Sequence, residues 1–398
     1  MRRLFALDNR VRTYPWGTTD GIARFLRIEK DGTEPWAELW MGAYPTNPSA
    51  VIDWPAQGVR TPLDACIARD PDLFLGEGNG RGLRFLFKIL SAARPLSLQA
   101  HPDDAQASLG FEKEESAGVP VSARRFITPS GKPELLLALD EFTMLCGFRA
   151  PEEAAALLSD ISAPEAPRLA KMAADGEYIP LLRALFTLPP EDRKKLIIAA
   201  IGSSVGGSSK AAPAGAGVVE ARNLARLLHV HYPDDVCILA PFFLNVRTLS
   251  PGEATHIPTG VLHSYIGGTG LELMPNSDAV LRAGLTGKTI DVPDLFSYLD
   301  PKPYSPATIV PARLPGQTIY TLDSPRLELR RIEVSGERVP LPAGVPSIAI
   351  GERGTVSLIA DDDAATVKPG SSIFVSGSTQ SLRAEGAGVC YLASAKGD

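Results

Sequence analysis

The stretch Gly252-Glu253-Ala254-Thr255-His256-Ile257-Pro258-Thr259-Gly260-Val261-Leu262-His263 sets a Gly, five residues, Pro-x-Gly, two residues and a His in a row. Its Pro-x-Gly marks a turn, and a histidine follows directly. The chain has five histidines, at 101, 229, 231, 256 and 263. A second one closes Leu96-Ser97-Leu98-Gln99-Ala100-His101, where apolar and polar residues alternate with period two. On a strand this alternation sends Ser97, Gln99 and His101 out of one face together. A third motif, Lys132-Pro133-Glu134, adds a carboxylate ahead of the apolar run Leu135 to Leu139. Taken singly, each has a plain explanation: a polar strand face, a solvated acid beside a buried strand, or a histidine bonded to a backbone carbonyl. Taken together, Gln99, His101, Glu134 and His263 form a mixed set of two nitrogens and two oxygens. Such a set is compatible with a zinc site that leaves room for substrate or water.

The rest of the composition sets bounds. A length of 398 residues predicts two to three domains, and 44% apolar residues suffices for sizeable cores. Forty basic against 46 acidic residues give a net charge of −6, so no global positive field favours nucleic acid or an anionic membrane. An anionic substrate must therefore be met by local charge. Cys66, Cys146, Cys237 and Cys390 lie far apart without CxxC spacing, and they read as reduced core residues of a cytoplasmic protein. The apolar run after Arg2-Arg3 is too short for a secretory signal, and no stretch approaches the ~20 apolar residues of a membrane span.

Along the chain, residues 1–150 carry short apolar runs, such as Leu83 to Leu90, among Pro and Gly, which predicts strands and long loops. Pro102-Asp103-Asp104 reads as a helix start. From Pro151 an Ala- and Leu-rich texture of period near 3.6 predicts helices over about 151–160, 178–201 (broken near Pro189-Pro190) and 218–230. Gly202 to Gly217, rich in Gly, Ser and Ala, reads as an exposed mobile loop. β texture returns from Val236 to Leu249, and residues from about 320 onward read as a small antiparallel barrel. The predicted fold is mainly β with an inserted α-helical domain: 1–150 and 232–319 as the metal-binding unit, 151–231 as the helical insertion, and 320–398 as a C-terminal barrel without histidine. The glycine run Ile266-Gly267-Gly268-Thr269-Gly270 lacks the Lys-Ser/Thr and helix of a phosphate loop and reads as a hairpin turn.

Several motifs recur in order: Tyr14-Pro15-Trp16-Gly17, Ala37-Glu38-Leu39-Trp40-Met41-Gly42, Phe85 to Leu90, Leu96 to Pro102, Lys132-Pro133-Glu134, His263-Ser264-Tyr265, Leu271-Glu272-Leu273-Met274 and Asn276 to Thr286. In these the chain resembles the type I mannose-6-phosphate isomerases, or phosphomannose isomerases, and residues 252–263 fit the second sequence motif of cupin barrels. The resemblance implies two cupin-like jelly-roll barrels plus the helical domain. It implies one zinc held by Gln99, His101, Glu134 and His263, and interconversion of mannose 6-phosphate and fructose 6-phosphate through a cis-enediol. Ser97 matches a substrate-contacting serine, and Arg282 matches an arginine needed for catalysis. Lys288, six residues on, reads with Arg282 as a phosphate anchor. Lys88, Lys132, Glu272 and Asp278 match positions eligible for proton transfer, with Glu272 and Lys132 ranked first and Lys88 and Asp278 assigned to substrate binding. Tyr265 lines the same pocket. The expected partner is a small phosphosugar, and the chain is expected to be monomeric.

The chain also departs from the family pattern. Ser130-Gly131 stands where many members carry Asn-His, so a histidine there cannot act here. Ala279 replaces Asn in Ser-Asp-Asn, and Asp104 replaces Lys in His-Pro-Asp-Lys. These changes leave open a related metal-dependent isomerase of another phosphosugar, or a non-catalytic sugar-phosphate-binding cupin.

Overall fold

The computed structural model describes every residue except Asn79, 203–215, Thr289, Asp291, Ser324, Pro325 and 396–398. The chain is mainly β, in two antiparallel sheets of 11 and 10 strands. The apolar runs of the N-terminal half become strands buried along their whole length, Phe85–Ala92 and Glu134–Ala138. The hub of the 10-stranded sheet is His263–Pro275, 13 residues long. At its start it pairs His263 with Gln99 and runs beside Phe142–Phe148. Past a register shift between Tyr265 and Gly267, it runs between Phe85–Ala92 and Glu134–Ala138.

That shift corrects the expected hairpin at 266–270: the glycines form an irregularity inside one strand. Gly268 has φ +120, and a Cβ there would come within 2.6 Å of the Glu141 carbonyl oxygen, so only glycine lets the strand pass. A second correction concerns Val236 to Leu249. Val236–Phe242 is a 3-10 helix whose start is capped by Asp235, and only Leu244–Leu249 is a strand.

The 11-stranded sheet contains the C-terminal strands together with Leu4–Asp8, Ala50–Ile52 and Arg60–Pro62. Leu4–Asp8 pairs with Ser372–Val375 across most of the chain's length, so the sheets do not divide at residue 320. One apolar core joins them, setting Phe87, Ile89, Leu135 and Leu271 against Leu329, Ile350, Phe374 and Tyr391.

Among the described residues between 151 and 231, five helices are present: Pro151–Ser159, Ala166–Ala174, Tyr178–Phe186, Pro190–Ile201 and Ala216–His231. They share a core with Leu98, Leu145 and Phe148 of the 10-stranded sheet. The break at Pro189-Pro190 is present because Pro190 opens a new helix, where its missing N–H costs nothing. Ala166–Ala174 is an addition to the expected three helices. Of the expected mobile loop at Gly202 to Gly217, residues 203–215 lie outside the described residues. The helix start near Pro102 is Asp104–Ser116, with Asp103 and Gln106 forming a capping box and Pro102 lying just before the cap. Among the described residues, no helix is long and apolar enough to cross a membrane. All four cysteines are free and buried.

Candidate metal centre and active site

Strand pairing assembles the centre. Leu98–Ala100 lies between His263 and Leu281–Gly284, so Gln99 is opposite both His263 and Arg282. His101 follows this strand directly, and Glu134 opens its own. His101, Glu134 and His263 converge with one ligand atom each, all within 4.8 Å of one another, and all three residues are buried. His101 Nε2 lies 3.2 Å from Glu134 Oε1, and His263 Nε2 lies 3.6 Å from Glu134 Oε2.

Both imidazoles are oriented from behind. His101 Nδ1 is 2.9 Å from the Ala279 carbonyl and His263 Nδ1 is 2.9 Å from that of Val261. A carbonyl only accepts, so each Nδ1 carries the proton and each Nε2 turns a bare lone pair toward Glu134. The His263 Nε2 atom has no hydrogen-bond partner although it is fully buried. A buried acceptor left in this state is costly unless a cation completes it, and the N/O donor set suits a divalent metal.

Electrostatics keep these three groups in the form a metal would need. Burial, followed by the neighbouring His101, holds the His263 imidazole down at about 4. Burial and Lys132 also lower that of His101. Burial works against the Glu134 charge, but Lys132, His101 and His263 outweigh it and hold the carboxyl well below the usual range. Lys132 Nζ lies 2.7 Å from Glu134 Oε1 and 3.4 Å from His101 Nε2. Ser97 Oγ donates to Gln99 Oε1 at 3.1 Å.

The centre opens onto a cavity of about 380 Å³. Every other residue expected at the site lines it: Lys88, Ser97, Gln99, Lys132, Tyr265, Glu272, Asp278, Arg282 and Lys288. Lys88 Nζ sits among three carboxylates, 3.4 Å from Glu38, 3.6 Å from Glu272 and 3.7 Å from Asp278. Burial disfavours its charge, yet Glu38, Asp278 and Glu272 prevail and raise it. The Tyr265 hydroxyl lies 3.0 Å from Glu134 Oε2 and 2.9 Å from Glu272 Oε1, one proton shared between two acids. Burial, then Glu134, push the Glu272 carboxyl up to about 7, with Lys88 and Lys132 pulling the other way. Arg282 is half-buried, and Lys288 is exposed, with Nζ 5.6 Å from the Tyr14 ring.

Sequence reasoning gave no role to Glu38, Arg94 or His231, which also line the cavity. Glu38 lies inside the quoted Ala37 to Gly42 motif, and its burial on Glu38–Gly42 becomes visible only in the structure. His256, one of the five histidines, lines a separate cavity together with Gly131.

A family model of the phosphomannose isomerase type I catalytic domain matches residues 4–151. The mannose-6-phosphate isomerase of Salmonella typhimurium is 31% identical over 96% of this chain and 97% of its own length. The chain belongs to the type I phosphomannose isomerases. The human mannose-6-phosphate isomerase is 32% identical over 89% of this chain and 88% of its own. A crystal structure of the Salmonella typhimurium isomerase bound to substrate (f6p) and zinc superposes with a TM-score of 0.86 at 28% identity, covering 99% of this chain and 100% of that one. The match to this phosphomannose isomerase thus extends over both sheets and the helical region.

Proposed function

We propose that the chain is a zinc-dependent isomerase interconverting mannose 6-phosphate and fructose 6-phosphate, and that it works as a cytoplasmic monomer. The observation that carries this is the buried His101, Glu134 and His263 cluster at a cavity whose wall includes Arg282 and Lys288, in a chain of this family. Gln99, His101, Glu134 and His263 hold the metal, and Ser97 fixes the Gln99 side chain through Oε1. When bound, zinc supplies a positive charge that favours negative charge developing on the sugar oxygens.

The chain's own residues do the rest. Lys288 anchors the phosphate, and Arg282, nearer the metal ligands through its pairing with Gln99, adds forked donors. Glu272, poised near neutral pH, takes the C2 proton of the aldose, and a cis-enediol results. Returning that proton to C1, with a proton moved from O2 to O1, gives the ketose. Lys132 supports Glu134, while Lys88, Asp278 and Tyr265 orient the sugar hydroxyls. The two sheets are proposed to be cupin-like jelly rolls. In this division 1–150 and 232–319 form the catalytic unit, 151–231 the helical insertion and 320–398 the C-terminal unit, with three N-terminal strands, together with Ala312–Leu314 and the start of Gln317–Asp323, lent to the second sheet.

A second reading, a different phosphosugar, is favoured by one observation. A Cβ on Gly131 would lie 2.8 Å from backbone atoms of Asp103 and Asp104, so this loop is packed for glycine at the position where the resemblance implies a histidine. The test is incubation of purified, zinc-loaded protein with mannose 6-phosphate. Formation of fructose 6-phosphate supports the proposal, and turnover only of other phosphosugars favours the second reading.

A further inference from the structure

Lys88 faces the sugar cavity, and its ammonium, at the end of a long stem, is shared among three acids. Those contacts, at 3.4 to 3.7 Å, are all longer than a charge-assisted hydrogen bond of about 2.7–2.9 Å. No one of them fixes the nitrogen. Something else must. Trp40 is the direct cross-strand partner of Lys88, and Glu272 is its partner on the other side, so the three stand in one row across the sheet. The Lys88 ammonium lies 4.4 Å from the Trp40 ring centroid, inside cation–π range, and both side chains are buried. The indole N–H donates to Glu38 Oε2 at 3.0 Å, which leaves Oε1 to face Lys88. The ring is itself held, by the edge of Tyr44 at 5.5 Å and the Arg12 guanidinium at 4.9 Å. Trp40 is not among the residues that line the cavity, so it has no route to substrate except through these neighbours.

We propose that Trp40 is the positioning residue for Lys88: its ring underlies the ammonium and its N–H aims the Glu38 carboxylate that restrains it. This inference rests on the isomerase function proposed above. It also distinguishes Trp40 from an ordinary buried aromatic, whose loss would weaken the fold without regard to Lys88.

The experiment is a double-mutant cycle on zinc-loaded protein with mannose 6-phosphate, comparing wild type, Trp40→Phe, Lys88→Met and the double variant. Zinc content and melting temperature are measured for each. Phe keeps a ring but removes the N–H. In the wild-type background Trp40→Phe should lower kcat/KM about tenfold, the scale of one charge-assisted contact. In the Lys88→Met background it should lower kcat/KM less than about twofold, since coupled residues are not additive. Zinc content should be unchanged. Glu38→Gln should give the same pattern, and it carries the test if Trp40→Phe does not fold. Equal losses in both backgrounds, or no loss in either, would overturn the inference while leaving the isomerase intact. A wild type that makes no fructose 6-phosphate would overturn both.

Discussion

Two buried clusters, one in each sheet, hold charge differently. In the 11-stranded sheet Arg330 is tightly paired: Nε donates to Glu328 at 2.6 Å, Nη1 donates to Gln317 at 2.7 Å, and Gln317 in turn donates to the Pro340 carbonyl. In the 10-stranded sheet one ammonium is spread over three acids at longer range, one phenol serves two acids, and a histidine nitrogen has no partner. Both clusters are built on antiparallel strands, but only the second faces the 380 Å³ cavity. Tightly paired buried charge holds a fold in register, whereas loosely paired buried charge beside a cavity can still take up a cation and a substrate.

This contrast can be broken at specific side chains. The largest effect should come from Glu272→Gln, which removes the proposed base and should cut kcat roughly 10²- to 10⁴-fold. In the wild type the carboxylate is the active form. A carboxyl raised to about 7 is protonated below that pH, so the rate should fall as pH drops, and a nearby bound cation can only move this limb lower. An acid limb that persists unchanged in Glu272→Gln would remove Glu272 from the role.

Next in size is the division between the two cations. Arg282→Ala should lower kcat roughly 10- to 150-fold, because its pairing with Gln99 places it beside the ligands. Lys288→Ala, at the exposed rim, should raise KM over a similar range with kcat nearly unchanged. Steady-state kinetics decide it. If both variants change only KM, Arg282 is a second anchor.

The smallest effect on catalysis should come from the tightly paired cluster. Arg330→Met removes one partner of a buried pair, which typically costs about 3 to 5 kcal/mol of stability. Melting temperature should fall while kcat/KM of the folded protein stays within about twofold. A large activity loss at full folding would show that the 11-stranded sheet takes part in turnover.

What was legible in the sequence was local. The alternation of Ser97, Gln99 and His101 and the Pro-x-Gly turn before His263 pointed to side chains that the structure gathers around one cavity and one buried cluster, and the runs Leu83 to Leu90 and Leu135 to Leu139 marked buried strands. Non-local facts were not legible. Nothing near Trp40 shows that it faces Lys88, because that depends on cross-strand register. The pairing of Leu4–Asp8 with Ser372–Val375 joins the two ends of the chain and left no local trace. The glycine run at 266–270 was misread for a related reason: glycine marks both a hairpin turn and a bulge, and only the neighbour at Glu141 decides between them. Val236–Phe242 has strand-like apolar content, but Asp235 caps it as a helical turn.

The buried His101, Glu134 and His263 cluster is expected to be a metal centre on which isomerisation depends. The most direct test strips metal from the wild type and from a His101→Ala, His263→Ala double variant, then titrates zinc back while following both bound metal and fructose 6-phosphate formed from mannose 6-phosphate. The wild type should bind one zinc per chain and regain activity in proportion to it, while the folded double variant should do neither. Full activity without metal, or unchanged zinc binding by the double variant, would contradict the account.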